Sequence, residues 1–162
     1  MMLNHAKIIY LHGLESTSQS GKARQFAQRF PGMLTPDFTG SFEERMAQLI
    51  PILGDENGWT IIGSSFGGLM GAVFTLENES QVRKLVLLAP ALMLPPFATL
   101  ADHRTVAVPT VIVHGTEDDV VPLAPVRALA EQVFTNLTYY VVNDGHRLAK
   151  AYEELDWEDI LA

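Results

Sequence analysis

Short, uninterrupted runs of apolar residues alternate along the chain with stretches that have the spacing of helices. Five runs stand out, and a weaker one lies between the first and the second. In chain order they are KIIYLHG (7–13), the weaker MLTPDF (33–38), WTIIG (59–63), RKLVLLAP (83–90), PTVIVHG (109–115) and LTYYVV (137–142). Runs without polar alternation are typical of strands buried on both faces. The pattern therefore predicts a mostly parallel sheet of six strands.

Four segments between or after these runs carry helix signals: residues 21–30, 41–49, 122–134 and about 148–160. In the second segment, Ser41 and Glu44 have the spacing of a capping box at a helix start. Pro51 is expected to kink or end that helix, because proline lacks the N–H that an interior position needs. The last segment is predicted as one continuous helix.

The alternation of strands and helices predicts the fold class. Right-handed crossovers between parallel strands give a doubly wound α/β sheet flanked by helices. In such sheets, ligands bind in the loops at the carboxyl ends of the strands. No repeat or low-complexity linker divides the 162 residues, so we expect a single domain over residues 1–162.

The composition and net charge limit the kinds of molecule that the protein is expected to bind. The net charge of −8 disfavours binding to nucleic acid and to anionic membranes. The absence of cysteine excludes disulfides, thiol catalysis and cysteine metal sites. The longest apolar run, residues 85–98, is interrupted by three prolines and is too short to span a bilayer. These features predict a cytoplasmic protein without nucleic-acid or membrane partners.

The stretch GSSFG, residues 63–67, follows a predicted strand and precedes a glycine-rich helix. It matches G-x-S-x-G in one frame only, with Ser65 between Gly63 and Gly67. A serine on so tight a turn needs neighbours without side chains, so that helix and strand can approach closely. The alternatives are a glycine-rich packing turn and a phosphate-binding loop, although the sequence contains neither G-x-G-x-x-G nor G-x-x-x-x-G-K-[ST]. We interpret Ser65 as a nucleophile.

A serine nucleophile needs a base, and the chain has five histidines. His5 precedes the first strand, His103 lies in an irregular stretch, and His12 and His114 each precede a glycine at a strand end. His146 lies in the loop between the last strand and the last helix, at the sheet edge where Ser65 is expected. We predict His146 as the base; the alternative is a histidine that only bonds the backbone at a helix start.

The acid that orients the base is expected in the turn after PTVIVHG. Glu117, Asp118 and Asp119 all lie there, and composition does not choose among them. Acids beside His114 are also compatible with a metal site, but the spacing lacks the usual histidine pair. We therefore expect neither a metal nor a cofactor.

The order serine, acid, histidine along the chain is that of α/β-hydrolases. Over nearly its whole length the chain resembles that superfamily, through YLHG, GSSFGG, HGTEDDVVP and DGH. The resemblance implies that Asp118 is the acid. It also implies an oxyanion hole formed by the backbone N–H groups of Leu14 and Phe66. His12 and Gly13 would then shape the loop that carries Leu14.

Three features refine the resemblance. The first half of the chain is similar to YqiA-type bacterial esterases, although it lacks their proline in the first loop. The first strand leads directly into HG, so we expect the two leading strands of larger relatives to be absent and the strand order to be 2-1-3-4-5-6. In place of a large lid there is the short segment MLPPFATLADHR, residues 93–104. It is interpreted either as part of an acyl pocket or as a loop that covers the core.

These observations predict a serine hydrolase that cleaves small carboxylic esters or thioesters through an acyl-enzyme, with a triad of Ser65, His146 and Asp118. An acyltransferase or a lactonase would use the same triad. Two alternatives lie outside this class: a non-catalytic binding protein that keeps the fold, and a nucleotide-binding Rossmann-like domain. The sequence leaves acyl length, leaving group and oligomeric state open.

Overall fold

The computed structural model describes residues 2–162, which form a five-stranded parallel sheet between two layers of helices. The strands are β1 (Ile8–Leu11), β2 (Trp59–Ser64), β3 (Val82–Leu88), β4 (Thr110–Gly115) and β5 (Leu137–Val142). Neighbours in the sheet follow chain order, β1-β2-β3-β4-β5, and every pair is parallel. The predicted α/β class is confirmed, and each of the five stronger apolar runs contains a strand.

The helices connect successive strands or follow β5, and they cover both faces of the sheet. They are α1 (Gly21–Arg29), α2 (Phe42–Leu53), α3 (Phe66–Glu77), α4 (Pro95–Ala101), α5 (Leu123–Val133), α6 (Ala149–Glu154) and α7 (Trp157–Leu161). Short 3-10 turns precede β1 and β3, at His5–Lys7 and Glu79–Gln81.

The sheet separates two apolar clusters. Ile9 and Leu85 belong to the cluster that packs against α2, α3, α4 and α5, whereas Ile8 and Val86 belong to the cluster with α1, α6 and α7. Full burial of such a side chain contributes about 1.5–3 kcal/mol. Because both faces are covered, successive residues of β1, β2 and β4 are almost all buried, which explains their uninterrupted apolar runs. The edge strand β5 is only partly buried.

The prediction of a sixth strand over residues 33–38 is wrong. Only Leu34 pairs there, as a single parallel bridge to Ile9 on the free edge of β1. The Leu34 N–H donates to the Ile8 carbonyl at 2.8 Å, and the Tyr10 N–H donates to the Leu34 carbonyl at 2.9 Å. Pro36 has no N–H to donate at the next position of the ladder. The sheet therefore has five strands, and the bridge alone occupies the edge position that the order 2-1-3-4-5-6 assigned to a strand.

The predicted final helix is two helices. Leu155 and Asp156 interrupt it with extended ψ angles of 147° and 92°. The Asp156 carboxylate then accepts the Asp159 N–H at 3.1 Å and caps the start of α7. A local cap has thus replaced a continuous helix.

Helix α2 has the predicted start and a later end than predicted. Ser41 Oγ accepts the Glu44 N–H at 3.2 Å, and the Glu44 carboxylate accepts the Ser41 N–H at 3.1 Å, which completes the capping box. The helix continues past Pro51 to Leu53 and ends at Gly54, whose φ is 57°. A proline near the last turn removes only one helical hydrogen bond, so the turn persists.

The segment 93–104, which stands where larger relatives insert a lid, contains α4. Phe97 on this helix is fully buried and stacks on Phe134 with ring centroids 5.9 Å apart. Met93 and Leu94, which precede α4, are 48% and 41% exposed. The helix therefore covers the core, while the residues before it leave apolar surface at the carboxyl edge of the sheet. Within residues 2–162, no helix has the length and apolarity needed to cross a membrane.

Candidate active site

The turn between β2 and α3 holds Ser65 in an unusual backbone conformation, with φ 55° and ψ −112°. Such a conformation costs a residue with a side chain about 1–3 kcal/mol and persists only where the surroundings impose it. Here the surroundings are β3 and the loop after it. The Ser65 N–H donates to the Leu88 carbonyl at 2.9 Å, and the Ser65 carbonyl accepts the Ala91 N–H at 3.0 Å.

Close approach limits two positions beside Ser65 to glycine. A Cβ at Gly63 would lie 2.8 Å from Gly68 Cα, in the first turn of α3. A Cβ at Gly67 would lie 2.7 Å from the His12 carbonyl oxygen and would also collide with the Leu11 carbonyl. The glycines therefore allow α3 to lie directly against the ends of β1 and β2, with the serine at the turn between them.

The structure brings Ser65, His146 and Asp118 together from the loops after β2, β5 and β4. His146 Nε2 lies 3.1 Å from Ser65 Oγ, and His146 Nδ1 lies 2.8 Å from an Asp118 carboxylate oxygen. Because a carboxylate only accepts, Nδ1 carries the proton, and Nε2 is free to accept the Ser65 O–H. The histidine side chain is 22% exposed and that of the aspartate is fully buried.

The Asp118 carboxylate is held as an anion. Burial raises its pKa, but the Val121 N–H, the His146 side chain and the Val120 N–H together lower it further, so that it lies below its ordinary value. The two N–H groups donate to the other carboxylate oxygen at 2.9 Å from Val120 and 2.8 Å from Val121. Of the three candidate acids in this turn, Asp118 is the one that contacts His146.

A second histidine, His114, contacts the same carboxylate; from the sequence it was placed at a strand end and given no role in the triad. His114 Nε2 lies 3.3 Å from the Asp118 oxygen that contacts His146, and 3.0 Å from the Val121 carbonyl. The Tyr139 hydroxyl lies 3.2 Å from His114 Nδ1 and donates to it. Burial lowers the pKa of His114, so the ring is neutral with its proton on Nε2. In the sequence, the spacing His-x-x-x-Asp is the pattern that could have indicated this contact.

The loop after β1 is fixed by His12, whose exposure is 1%. His12 Nδ1–H donates to the Gly13 carbonyl at 2.7 Å, and His12 Nε2 accepts the Phe38 N–H at 2.9 Å. A trans peptide carries its N–H opposite its C=O. Holding the Gly13 carbonyl therefore also fixes the direction of the Leu14 N–H.

Two backbone N–H groups beside Ser65 are available to a ligand. Within residues 2–162, neither the Leu14 N–H nor the Phe66 N–H donates a hydrogen bond to a backbone carbonyl outside regular helices and strands. Phe66 is the first residue of α3, where N–H groups have no partner within the helix. Gly13 lies against the nucleophile turn, since a Cβ there would be 3.7 Å from Ser65 Cβ.

Arg45 is a further residue that the sequence analysis did not identify. It lies in α2 and is 5% exposed. Its Nε donates to the Gly40 carbonyl at 3.0 Å and one terminal nitrogen donates to the Leu14 carbonyl at 3.2 Å. Its guanidinium carbon lies 5.4 Å from the centre of the Phe66 ring. Arg45 shares one face of the helix with the buried Met46, Leu49 and Leu53. A charged residue at such a position was the feature of the sequence that could have indicated its burial.

Exposed apolar side chains occur in the loops around the candidate site. Leu14 follows β1, Met93 and Leu94 follow β3, and Val120 follows β4; their exposures range from 41% to 65%. These loops all lie at the carboxyl edge of the sheet, as Ser65 does. Within residues 2–162, no group of three histidine, aspartate or glutamate residues is arranged to hold a metal ion.

Two hollows in the surface lie elsewhere. One, of about 320 Å³, is lined by residues that include Arg127 and Tyr139. The other, of about 310 Å³, includes Lys7 and Arg83 at the amino edge of the sheet. Neither includes Ser65, so the candidate site is identified by its hydrogen bonds and not by its depth.

Comparison with known proteins agrees with this fold. The family model for the alpha/beta hydrolase fold matches residues 16–108. A Xanthomonas campestris protein described as a hydrolase of the alpha/beta superfamily is 28% identical, with a TM-score of 0.71 over 90% of this chain and 91% of its own. No curated protein matches the chain by sequence.

Two further solved structures are similar in fold at lower identity. The monoacylglycerol lipase of Paleococcus ferrophilus is 14% identical, with a TM-score of 0.73 over 94% of this chain and 89% of its own. The Pyrococcus furiosus esterase is 19% identical, with a TM-score of 0.72 over 94% of this chain and 78% of its own. Because the family model spans more than half of the sequence, the chain belongs to the alpha/beta hydrolase fold family.

Proposed function

We propose that the protein is a serine hydrolase that cleaves carboxylic esters or thioesters through an acyl-enzyme. The observation that carries the proposal is the hydrogen-bond chain from Ser65 through His146 to Asp118, at 3.1 and 2.8 Å. A serine hydroxyl is a weak nucleophile until a base accepts its proton. A carboxylate on the far side of the imidazole holds the required tautomer and stabilises the imidazolium that forms.

The reaction would proceed in two halves. Ser65 Oγ attacks the acyl carbon while its proton moves to His146 Nε2, and the carbonyl electrons move onto the oxygen. The Leu14 and Phe66 N–H groups donate to that oxygen. As the carbonyl re-forms, the bond to the leaving group breaks, and His146 gives the leaving group its proton. His146 then deprotonates a water molecule, which attacks the acyl carbon. As the bond between the acyl carbon and Ser65 Oγ breaks, His146 returns the proton to Ser65.

The substrate class follows from the surface around the serine. Leu14, Met93, Leu94 and Val120 offer apolar contact on the strand-end loops, which suits an uncharged acyl group. The lipase of Paleococcus ferrophilus and the esterase of Pyrococcus furiosus make ester chemistry a reasonable analogy for this fold. We therefore propose a small acyl ester or thioester as the substrate.

The test is covalent labelling with a fluorophosphonate probe, followed by intact-mass analysis. We expect one adduct on the wild type and none on Ser65→Ala. Ser64→Ala is the matched control, because Ser64 is the preceding residue and makes no hydrogen bond to His146 among residues 2–162. It should keep the adduct. A panel of p-nitrophenyl esters and CoA thioesters of graded chain length would then define the acyl group.

Two outcomes would contradict the proposal. A wild type that is folded by circular dichroism, yet neither labelled nor active on the panel, would favour a binding protein that keeps the fold. Labelling that survives in Ser65→Ala would place the nucleophile on another residue.

A further inference from the structure

Arg45 is a buried charged group that the proposed reaction leaves without a role. Its side chain makes no ion pair with any acidic residue in the described part of the chain. One terminal nitrogen, Nη1, is buried without a hydrogen-bond partner there. Burying an unpaired charge is costly. A buried arginine without a carboxylate therefore needs an explanation beyond packing.

Its contacts lead to the two residues that supply the proposed oxyanion donors. The guanidinium donates to the Leu14 carbonyl at 3.2 Å and lies 5.4 Å from the Phe66 ring centre. Phe42, at the start of the same helix, also meets Phe66 edge to face, with ring centroids 6.2 Å apart. The capping box at Ser41 fixes this end of α2. The cation is thus held in one position between the loop after β1 and the nucleophile turn.

We propose that Arg45 is a positioning residue whose positive charge also stabilises the oxyanion. It holds the Leu14 loop against the nucleophile turn, and its charge is not neutralised by a carboxylate in the resting protein. In a medium of low dielectric constant a unit charge acts over several ångströms. Its field is therefore available to the negative charge that develops on the substrate oxygen. This inference rests on the proposed function.

Three substitutions separate charge from position. Arg45→Lys keeps the charge but loses the planar fork of donors. Arg45→Gln keeps an N–H donor without charge, and Arg45→Met keeps only the apolar stem. We expect Met and Gln to lower kcat/KM, and the second-order rate of fluorophosphonate labelling, by about 100-fold, and Lys by about tenfold or less. The loss should be in kcat, with KM changed by less than about threefold.

Arg127→Met is the matched control. Arg127 also lies over an aromatic ring, 4.9 Å from the centre of Tyr139, but it belongs to α5 and pairs with Glu131. Its removal should leave both rates within about twofold of the wild type. Thermal unfolding of each variant shows whether it is folded, and if Arg45→Met is not, the comparison of Lys with Gln decides.

The outcomes are distinguishable. Wild-type rates in Arg45→Met or Arg45→Gln would overturn the inference. Equal losses in the Lys and Gln variants would show that position alone matters and would overturn the role of the charge. An unlabelled and inactive wild type, or labelling that persists in Ser65→Ala, would overturn the proposed function and the inference with it.

Discussion

Backbone strain is distributed differently at the two ends of the strands, which form the amino edge and the carboxyl edge of the sheet. Within residues 2–162, the non-glycine residues with positive φ are Ser65, Ala89 and Leu148, and all three follow the carboxyl ends of strands. At the amino edge, where the chain turns into β2, the positive φ angles belong to Gly54 and Gly58. Glycine therefore relieves strain where the chain enters β2, whereas three residues with side chains retain it after the carboxyl ends of β2, β3 and β5.

The edges also differ in their charged groups. At the amino edge Lys7 pairs with Glu56 at 2.8 Å, and the two side chains are 25% and 68% exposed. At the carboxyl edge Asp118 pairs with His146 at the same distance, with a fully buried carboxylate. Exposed pairs contribute about 0–1 kcal/mol, whereas a buried carboxylate depends on every partner it has. The two ion pairs have the same distance, but the loss of a partner should matter more for the buried carboxylate than for the exposed one.

The largest contrast between the edges should appear in activity. Asp118→Asn should lower kcat/KM on an active ester by about 10⁴-fold, because an amide does not hold the His146 tautomer. Glu56→Gln at the amino edge, and Asp119→Asn in the same turn as Asp118, should change it by less than about twofold. Steady-state kinetics on the three variants checks this. A comparable loss in Asp119→Asn would contradict the assignment of the acid.

The next contrast concerns two glycines. Gly67→Ala should lower the free energy of unfolding by about 3 kcal/mol or more, because its Cβ would meet backbone carbonyls that cannot move easily. Gly58→Ala has open space around the new Cβ and only the cost of φ 82°, about 1 kcal/mol. Urea denaturation measures both. Equal losses would show that the close approach at Gly67 relaxes.

A smaller effect of opposite sign is expected at the nucleophile. Ser65→Gly should raise the free energy of unfolding by about 1 kcal/mol, because glycine tolerates φ 55°. Ser64→Gly, at the end of β2 with ordinary backbone angles, should lower it by about 0.5–1 kcal/mol. If both variants lose stability alike, the strain inferred at Ser65 is not stored in the folded state.

The smallest effect concerns pH. Burial lowers the pKa of His114 below 6.5, so below that pH the unfolded chain binds a proton that the folded chain does not. Stability should therefore fall as the pH drops below 6.5 toward the folded pKa. Between pH 7.5 and 5.5 the wild type should lose more of its free energy of unfolding than His114→Gln does in urea denaturation. Parallel pH profiles for the two proteins would contradict a neutral, buried His114.

The features of the fold that depend on the spacing of apolar residues along the chain could be predicted from the sequence. Apolar runs without polar alternation identified β1 to β5, and a recognised motif identified the capping box of α2. The end of the pairing at Leu34 and the division of the last helix were not identified. Pro36 prevents the ladder from extending past Leu34, and the Asp156 cap divides the last helix. Neither outcome follows from hydrophobic spacing.

The candidate site likewise contains features that the sequence predicts and features that it does not. Ser65 was identified because its glycine neighbours are close in sequence. The contacts of Arg45 with Leu14 and of His114 with Tyr139 join residues 31 and 25 positions apart, and no local pattern indicates them. The structure places Asp118 and not Asp119 beside His146. The chemical roles of these residues, and the narrower resemblance to YqiA-type esterases, stay predictions.

The order in which the site residues occur along the chain has a consequence for folding. Ser65 and His146 are 81 positions apart, and Asp118 and His146 are 28 apart. Contacts between distant positions form late, because closing long loops costs entropy before the contact compensates for it. His146 follows the last strand, so during synthesis it emerges after β1 to β5. During synthesis the chain therefore contains Ser65 before its base, His146, is present. The complete hydrogen-bond chain can form only when the sheet has assembled.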